Sequence, residues 1–125
     1  MQDKESSESI EPYSRYWNNK IQKRKAKLKE RKKELIKYAQ QCSELLKSEF
    51  GVKNVFLIGS LTRHYGINEK TDIDLVVRGL SNKKYFTALN KLYDLVPNDI
   101  KIDLITEENI SHSMKKTLKK ESIVI

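Results

Sequence analysis

The sequence has a single cysteine, Cys42, and only two histidines, His64 and His112. An intrachain disulfide is therefore excluded, and a structural zinc site built from Cys and His lacks ligands. Long apolar runs are missing too, so nothing approaches the ~20 residues that a membrane-spanning helix needs. The amino-terminal "MQDKESSESIEPYS" carries no apolar core of the kind found in a secretory leader. These absences lead to the expectation of a cytoplasmic chain with no membrane association. Glycine and proline are scarce as well, four and two in 125 residues, and neither occurs between Tyr13 and Phe50.

What is abundant is positive charge. Lys and Arg number 25 against 17 Asp and Glu, a net charge of +8, while apolar residues make up only 38%. The length suits one domain with a modest core. The basic excess favours anionic partners such as nucleotides, nucleic acid or an acidic protein face, and it also serves as a solvated surface.

Three segments follow from the pattern. Residues 1–12, closing on Glu11-Pro12, read as a flexible tail. Residues 13–50 read as a long basic N-terminal helix, because Ile21, Leu28, Leu35 and Cys42 recur at a spacing of seven alongside Trp17, Tyr38, Ala39, Leu45 and Leu46. Gly51 stands where a helix C-cap glycine belongs. Between Lys20 and Lys37 there are ten basic residues against Glu30 and Glu34. That half can bury only a narrow stripe, whereas the half from Leu35 onward suits a core. The basic half is either a solvated overhang or an arm that meets another chain: a partner protein, a second copy in a homo-oligomer, or, less favoured, nucleic acid.

Residues 51–125 form the third segment. "NVFLIG", "DIDLVVRG" and "IKIDLIT" have strand composition and are bounded by turn residues. "LSNKKYFTALNKLYDLV" has helical spacing with Ser81 as its N-cap. "EENISHSMKKTLKK" suits a short helix and "SIVI" a terminal extended piece. The resulting class is α/β (α+β), a small mixed β-sheet flanked by helices. Cys42, Tyr85 and Phe86 are assigned to the core, and His64 to a loop.

The apolar second strand opens with two carboxylates. Residues i and i+2 of a strand share a face, so Asp72 and Asp74 project together. Asp103, in "KIDLI", reaches the same place if its strand is the neighbour. Charges about 4 Å apart near a protein surface repel by on the order of 4 kcal/mol. A divalent cation removes that repulsion, and carboxylate, phosphate and water are magnesium's preferred ligands. Gly59 lets backbone approach a ligand closely, and Ser60 offers a hydroxyl and an N–H near the start of the next turn. A phosphate held by Ser60 and bridged through metal to Asp72 and Asp74 describes a nucleoside triphosphate site.

With "GS" at 59–60, "DID" at 72–74 and the later "IDLI", the chain resembles the nucleotidyltransferase superfamily of the DNA polymerase β type. It is most similar to the minimal nucleotidyltransferases, several of which act as antitoxins beside a helical HEPN ribonuclease toxin. The resemblance covers about residues 50–125. It implies a nucleotidyltransferase fold and transfer of a nucleoside monophosphate, AMP from ATP or from another triphosphate its own nucleotide, to a protein hydroxyl. It further implies two magnesium ions held by Asp72 and Asp74, with Asp103 as the third carboxylate. Gly59 and Ser60 would bind the triphosphate, Arg63 would touch phosphate, and a HEPN-type toxin would be the partner. Two alternatives stay open: a non-catalytic antitoxin acting by contact, and a nucleotidyltransferase acting on RNA or a small molecule.

Overall fold

Nothing between Tyr13 and Phe50 interrupts a helix, and the chain forms one without a break. In the computed structural model, which describes residues 2–63 and 66–125 and side chains from Tyr13 onward, helix α1 spans Gln2–Phe50. Residues 2–12, expected as a tail, therefore carry helical backbone continuous with α1. At about 1.5 Å per residue, a 49-residue helix is ~74 Å long, far longer than the domain beneath it. Residues 13–27 are exposed throughout, while Leu35, Ala39, Cys42 and Leu46 are fully buried. Gly51 ends the helix at φ 65°, and the N–H of Val52 turns back to the Leu46 carbonyl at 3.2 Å.

The three apolar runs form β1 (Asn54–Ile58), β2 (Ile73–Arg78) and β3 (Ile102–Thr106). Helix α2 (Tyr85–Leu95) joins β2 to β3, and α3 (His112–Glu121) precedes the short β4 (Ile123–Val124). The sheet order is β3-β2-β1-β4, with β2 and β3 parallel and the other pairs antiparallel. The sheet is thus mixed and helix-flanked, as the sequence implied.

Alternation along the strands divides the core. One face, with Val55, Leu57, Ile73, Leu75, Val77, Ile102 and Leu104, packs against α1 and α2. The other carries Phe56, Ile58, Val76 and Ile105, covered by Met114 and Leu118 of α3. Burial of each large aliphatic side chain is worth about 1.5–3 kcal/mol, and α1 supplies several to the first face. Asp74 shares the second face with Val76 because the two lie two residues apart. No helix among the described residues is long and apolar enough to cross a membrane.

Two core assignments hold and one does not. Cys42 is fully buried, and Tyr85 is half-buried with its hydroxyl donating to the Leu104 carbonyl at 2.5 Å. Phe86 is 73% exposed. Helix α2 buries Ala88 and Leu92, and at 3.6 residues per turn Phe86 lies about 200° round the helix from Ala88. Ser81 precedes a 3₁₀ turn over Asn82–Lys84 and makes no side-chain cap bond, so α2 starts at Tyr85 rather than beside it. The loop assignment of His64 lies outside the described residues.

Candidate active site

The parallel register sets Asp74 directly beside Asp103, and the antiparallel register sets it opposite Ile58. The chain leaves β1 at Ile58 and enters a 3₁₀ turn, Gly59–Thr62. Gly59 takes φ 81°, and the Asp74 carboxylate occupies the space where a side chain at residue 59 would lie. Thr62 Oγ1 closes the turn on the Gly59 carbonyl at 2.7 Å, and the Arg63 N–H on the Ser60 carbonyl at 3.2 Å. The turn carrying Ser60, expected to help hold a phosphate, is a single 3₁₀ turn and not the start of an α-helix.

A second turn positions Asp72. The Asn68 N–H donates to Thr71 Oγ1 at 2.8 Å, the Lys70 N–H to Asn68 Oδ1 at 2.7 Å, and the Thr71 N–H to the Asn68 carbonyl at 3.1 Å. Asparagine and threonine side chains commonly substitute for backbone in such turns. Thr71 is buried, so Asp72 is presented from a fixed point just before β2. Between the two turns lies a cleft of about 410 Å³, lined by Ser60, Asn68, Glu69, Lys70, Thr71, Asp72 and Asp74.

Ser60, Asp72 and Asp74 thus face one space. Asp103 is exposed and stands beside Asp74 on the neighbouring strand β3. Asp74 is pushed up from 3.8 to about 6, first by burial, then by the Asp103 hydrogen bond and the charges of Asp103 and Asp72; Lys101 pulls the other way. Burial and the neighbouring carboxylates thus both disfavour the charged form of Asp74. Among the described residues no three His, Cys, Asp or Glu side chains are grouped tightly enough to hold a metal ion by themselves.

That arrangement still fits magnesium. The ion keeps several waters and is typically bound by one or two carboxylates together with substrate phosphates, not by an all-protein cage. Asp72 and Asp74 would supply the carboxylates, and the bare Gly59 leaves the Asp74 carboxylate its place beside the turn.

Arg63 is placed differently from the other candidates. Its guanidinium bonds Glu121 of α3, at 3.2 Å from Nε and 3.1 Å from Nη2, and its carbonyl accepts from Lys32 Nζ at 2.6 Å. Neither partner was legible in the sequence, since Glu121 is 58 positions away and Lys32 is 31. Asn68, Glu69, Lys70 and Thr71 were also missed as cleft residues. The Asn-Glu-Lys-Thr spacing held the available signal, an Asx-type turn immediately before the aspartates. A larger groove, about 1100 Å³, runs along α1 and shares Glu69 with the cleft.

No protein-family profile and no curated protein sequence matches the chain. Solved structures do share its fold. A chain of the toxin–antitoxin MntA–HpeT complex bearing two Asp-to-Glu substitutions gives a TM-score of 0.56 at 17% identity, over 69% of this chain and 70% of that one. A toxin–antitoxin structure with AMP-PNP gives 0.53 at 19% identity, over 69% and 70%. A chain from the tri-AMPylated Shewanella oneidensis HEPN toxin in complex with MNT antitoxin gives 0.52 at 19% identity, over 70% and 67%. The fold is that of the minimal nucleotidyltransferase antitoxins.

Proposed function

We propose that this chain is a metal-dependent nucleotidyltransferase that moves AMP from ATP to a protein hydroxyl, as the antitoxin of a HEPN-type toxin. The observation that carries this is the convergence of Ser60, Asp72 and Asp74 on one cleft, with Gly59 kept side-chain-free against the Asp74 carboxylate. The similar structures lend support: one contains AMP-PNP, one an AMPylated HEPN toxin, and one has two aspartates altered that are spaced like Asp72 and Asp74.

Each residue has a task in this reading. Ser60 and the backbone of the Gly59–Thr62 turn bind the triphosphate. Asp72 and Asp74 would hold magnesium, two ions when ATP is bound, which neutralises phosphate charge and polarises the phosphorus under attack. Asp103, exposed beside Asp74, takes the proton of the acceptor hydroxyl. That oxygen bonds to the α-phosphorus, the bond to the β-phosphate bridge breaks, and pyrophosphate leaves. Arg63 needs to release Glu121 to touch phosphate and otherwise braces the turn against α3.

The absence of a tight three-ligand cluster among the described residues favours one other reading, an antitoxin that acts by contact with an idle site. Incubation with α-labelled ATP, magnesium and a HEPN-type protein separates the two. Label on that protein, lost with Asp74→Ala, supports the transferase. Inhibition by parent and Asp74→Ala alike, with no label, supports contact.

A further inference from the structure

The exposed half of α1 continues the face that the other half buries. Trp17, Ile21 and Leu28 fall on the same heptad stripe as Leu35 and Cys42, yet Trp17 is 56% and Ile21 49% exposed. The stripe floors the groove of about 1100 Å³, which is rimmed by Lys20, Lys23 and Lys27. A helix face built like a core face, with no core beneath it, is suited to a second helix.

Charge decides which helix. A second copy of α1 would set ten cations between Lys20 and Lys37 against ten more, so self-pairing through this stripe is opposed. Nucleic acid is disfavoured on other grounds. Ile21 and Leu28 offer nothing to bases, and Lys20 Nζ already covers the rings of Tyr16 and Trp17 at 5.0 and 5.6 Å from their centroids. Arg24 and Arg31 are engaged by Glu69 and Asp99 at 3.0 and 3.2 Å. An apolar floor between lysine rims matches an amphipathic helix with acidic flanks.

Glu69 connects this groove to the catalytic chemistry. Its carboxylate pairs with Arg24 across 45 positions, and it lines both the groove and the aspartate cleft. We propose that the stripe Trp17–Ile21–Leu28 docks an acidic amphipathic helix of the acceptor protein, so that the acceptor is held at the mouth of the cleft. This rests on the nucleotidyltransferase reading of that cleft. Affinity comes from the apolar stripe and orientation from the lysine rims.

Trp17 is the only tryptophan, so its fluorescence reports docking directly. The probe is a tryptophan-free synthetic peptide of about three heptads, with Leu at the a and d positions and Glu at the flanks. Full-length protein should bind it with a change in Trp17 emission. Ile21→Ser with Leu28→Ser should weaken binding at least about tenfold, with only a shallow salt dependence. Three results would overturn the proposal: equal binding of a scrambled peptide of the same composition, displacement of the peptide by oligouridine with steep salt dependence, or self-association of the chain that the two serines abolish. Magnesium-ATP titration of the same samples keeps the two readings apart. Nucleotide binding without peptide docking removes the docking proposal alone, and docking without nucleotide binding removes the transferase reading alone.

Discussion

A Cβ atom on residue 59 would lie 2.5 Å from Oδ2 of Asp74. Gly59 is also held at φ 81°, so backbone conformation and neighbour both demand glycine there. Gly51 shares the positive φ, 65°, but has nothing within 4 Å of its would-be Cβ. The two positions should therefore separate strain from function. Gly51→Ala is expected to cost on the order of 1 kcal/mol and leave magnesium-ATP binding at the parental level. Gly59→Ala must also displace the Asp74 carboxylate, so it should lower the melting temperature further and abolish nucleotide binding. Calorimetric titration and thermal melts of both variants check this, and parental binding by Gly59→Ala would remove Asp74 from the site.

Asp72 and Asp74 face the same cleft, and burial together with the charges of Asp72 and Asp103 disfavours the ionised form of Asp74. Asp72→Ala and Asp74→Ala should abolish transfer while the fold survives. In EDTA, stability should stay unchanged or rise slightly, because each substitution relieves repulsion within the cluster. Melting well below the parent in EDTA would show instead that the carboxylates support the fold.

The raised Asp74 carboxyl gives a pH dependence of definite sign. A group whose folded-state value exceeds its unfolded one contributes stability that is fully present below the unfolded value, 3.8, and lost as pH rises through about 6. Metal-free protein should therefore lose about 1 kcal/mol from this group over that window, a figure already reduced for solvent screening of a half-exposed carboxyl. Asp74→Asn should flatten that part of the profile. Urea midpoints of parent and variant across the window measure it, and parallel profiles would contradict the raised value. Magnesium affinity should run oppositely and strengthen as pH rises through about 6.

The strands were legible because each apolar run is bounded by turn residues, and the observed spans, 54–58, 73–78 and 102–106, sit inside the quoted motifs. The placement of Asp72 and Asp74 on one cleft, with Asp103 beside Asp74, was legible because the carboxylates recur in or next to otherwise apolar strand runs. Contacts set by tertiary packing were not. Arg63 with Glu121 and Arg24 with Glu69 are pairings across 58 and 45 positions. Phe86 was misassigned because aromatic character outweighed its place on the α2 wheel. The helical backbone of residues 2–12 was missed because Pro12 read as a stop, although proline removes only one donor and its roughly 3 kcal/mol cost in a helix interior is a bias, not a prohibition.

Helix α1 should behave as two parts joined without a break. Leu35 and Leu46 are fully buried against the sheet, so Leu35→Ala and Leu46→Ala should each cost about 2–5 kcal/mol. Ile21 sits on the same stripe but half-exposed, and Ile21→Ala should stay within about 0.5 kcal/mol in the isolated protein. The ion pairs that tie the basic half to the domain, Arg24 with Glu69 and Arg31 with Asp99, involve exposed carboxylates and add little in salt. A helix segment without a packed face depends on propensity alone, which is marginal at this length. Amides of residues 13–27 should accordingly exchange with solvent much faster than those of residues 35–46. The same segment should gain protection when the acidic peptide is added, because docking supplies the missing packed face. Equal protection of both halves in the isolated protein, together with a cost above about 1 kcal/mol for Ile21→Ala, would mean that the basic half belongs to the folded domain and is not a free arm.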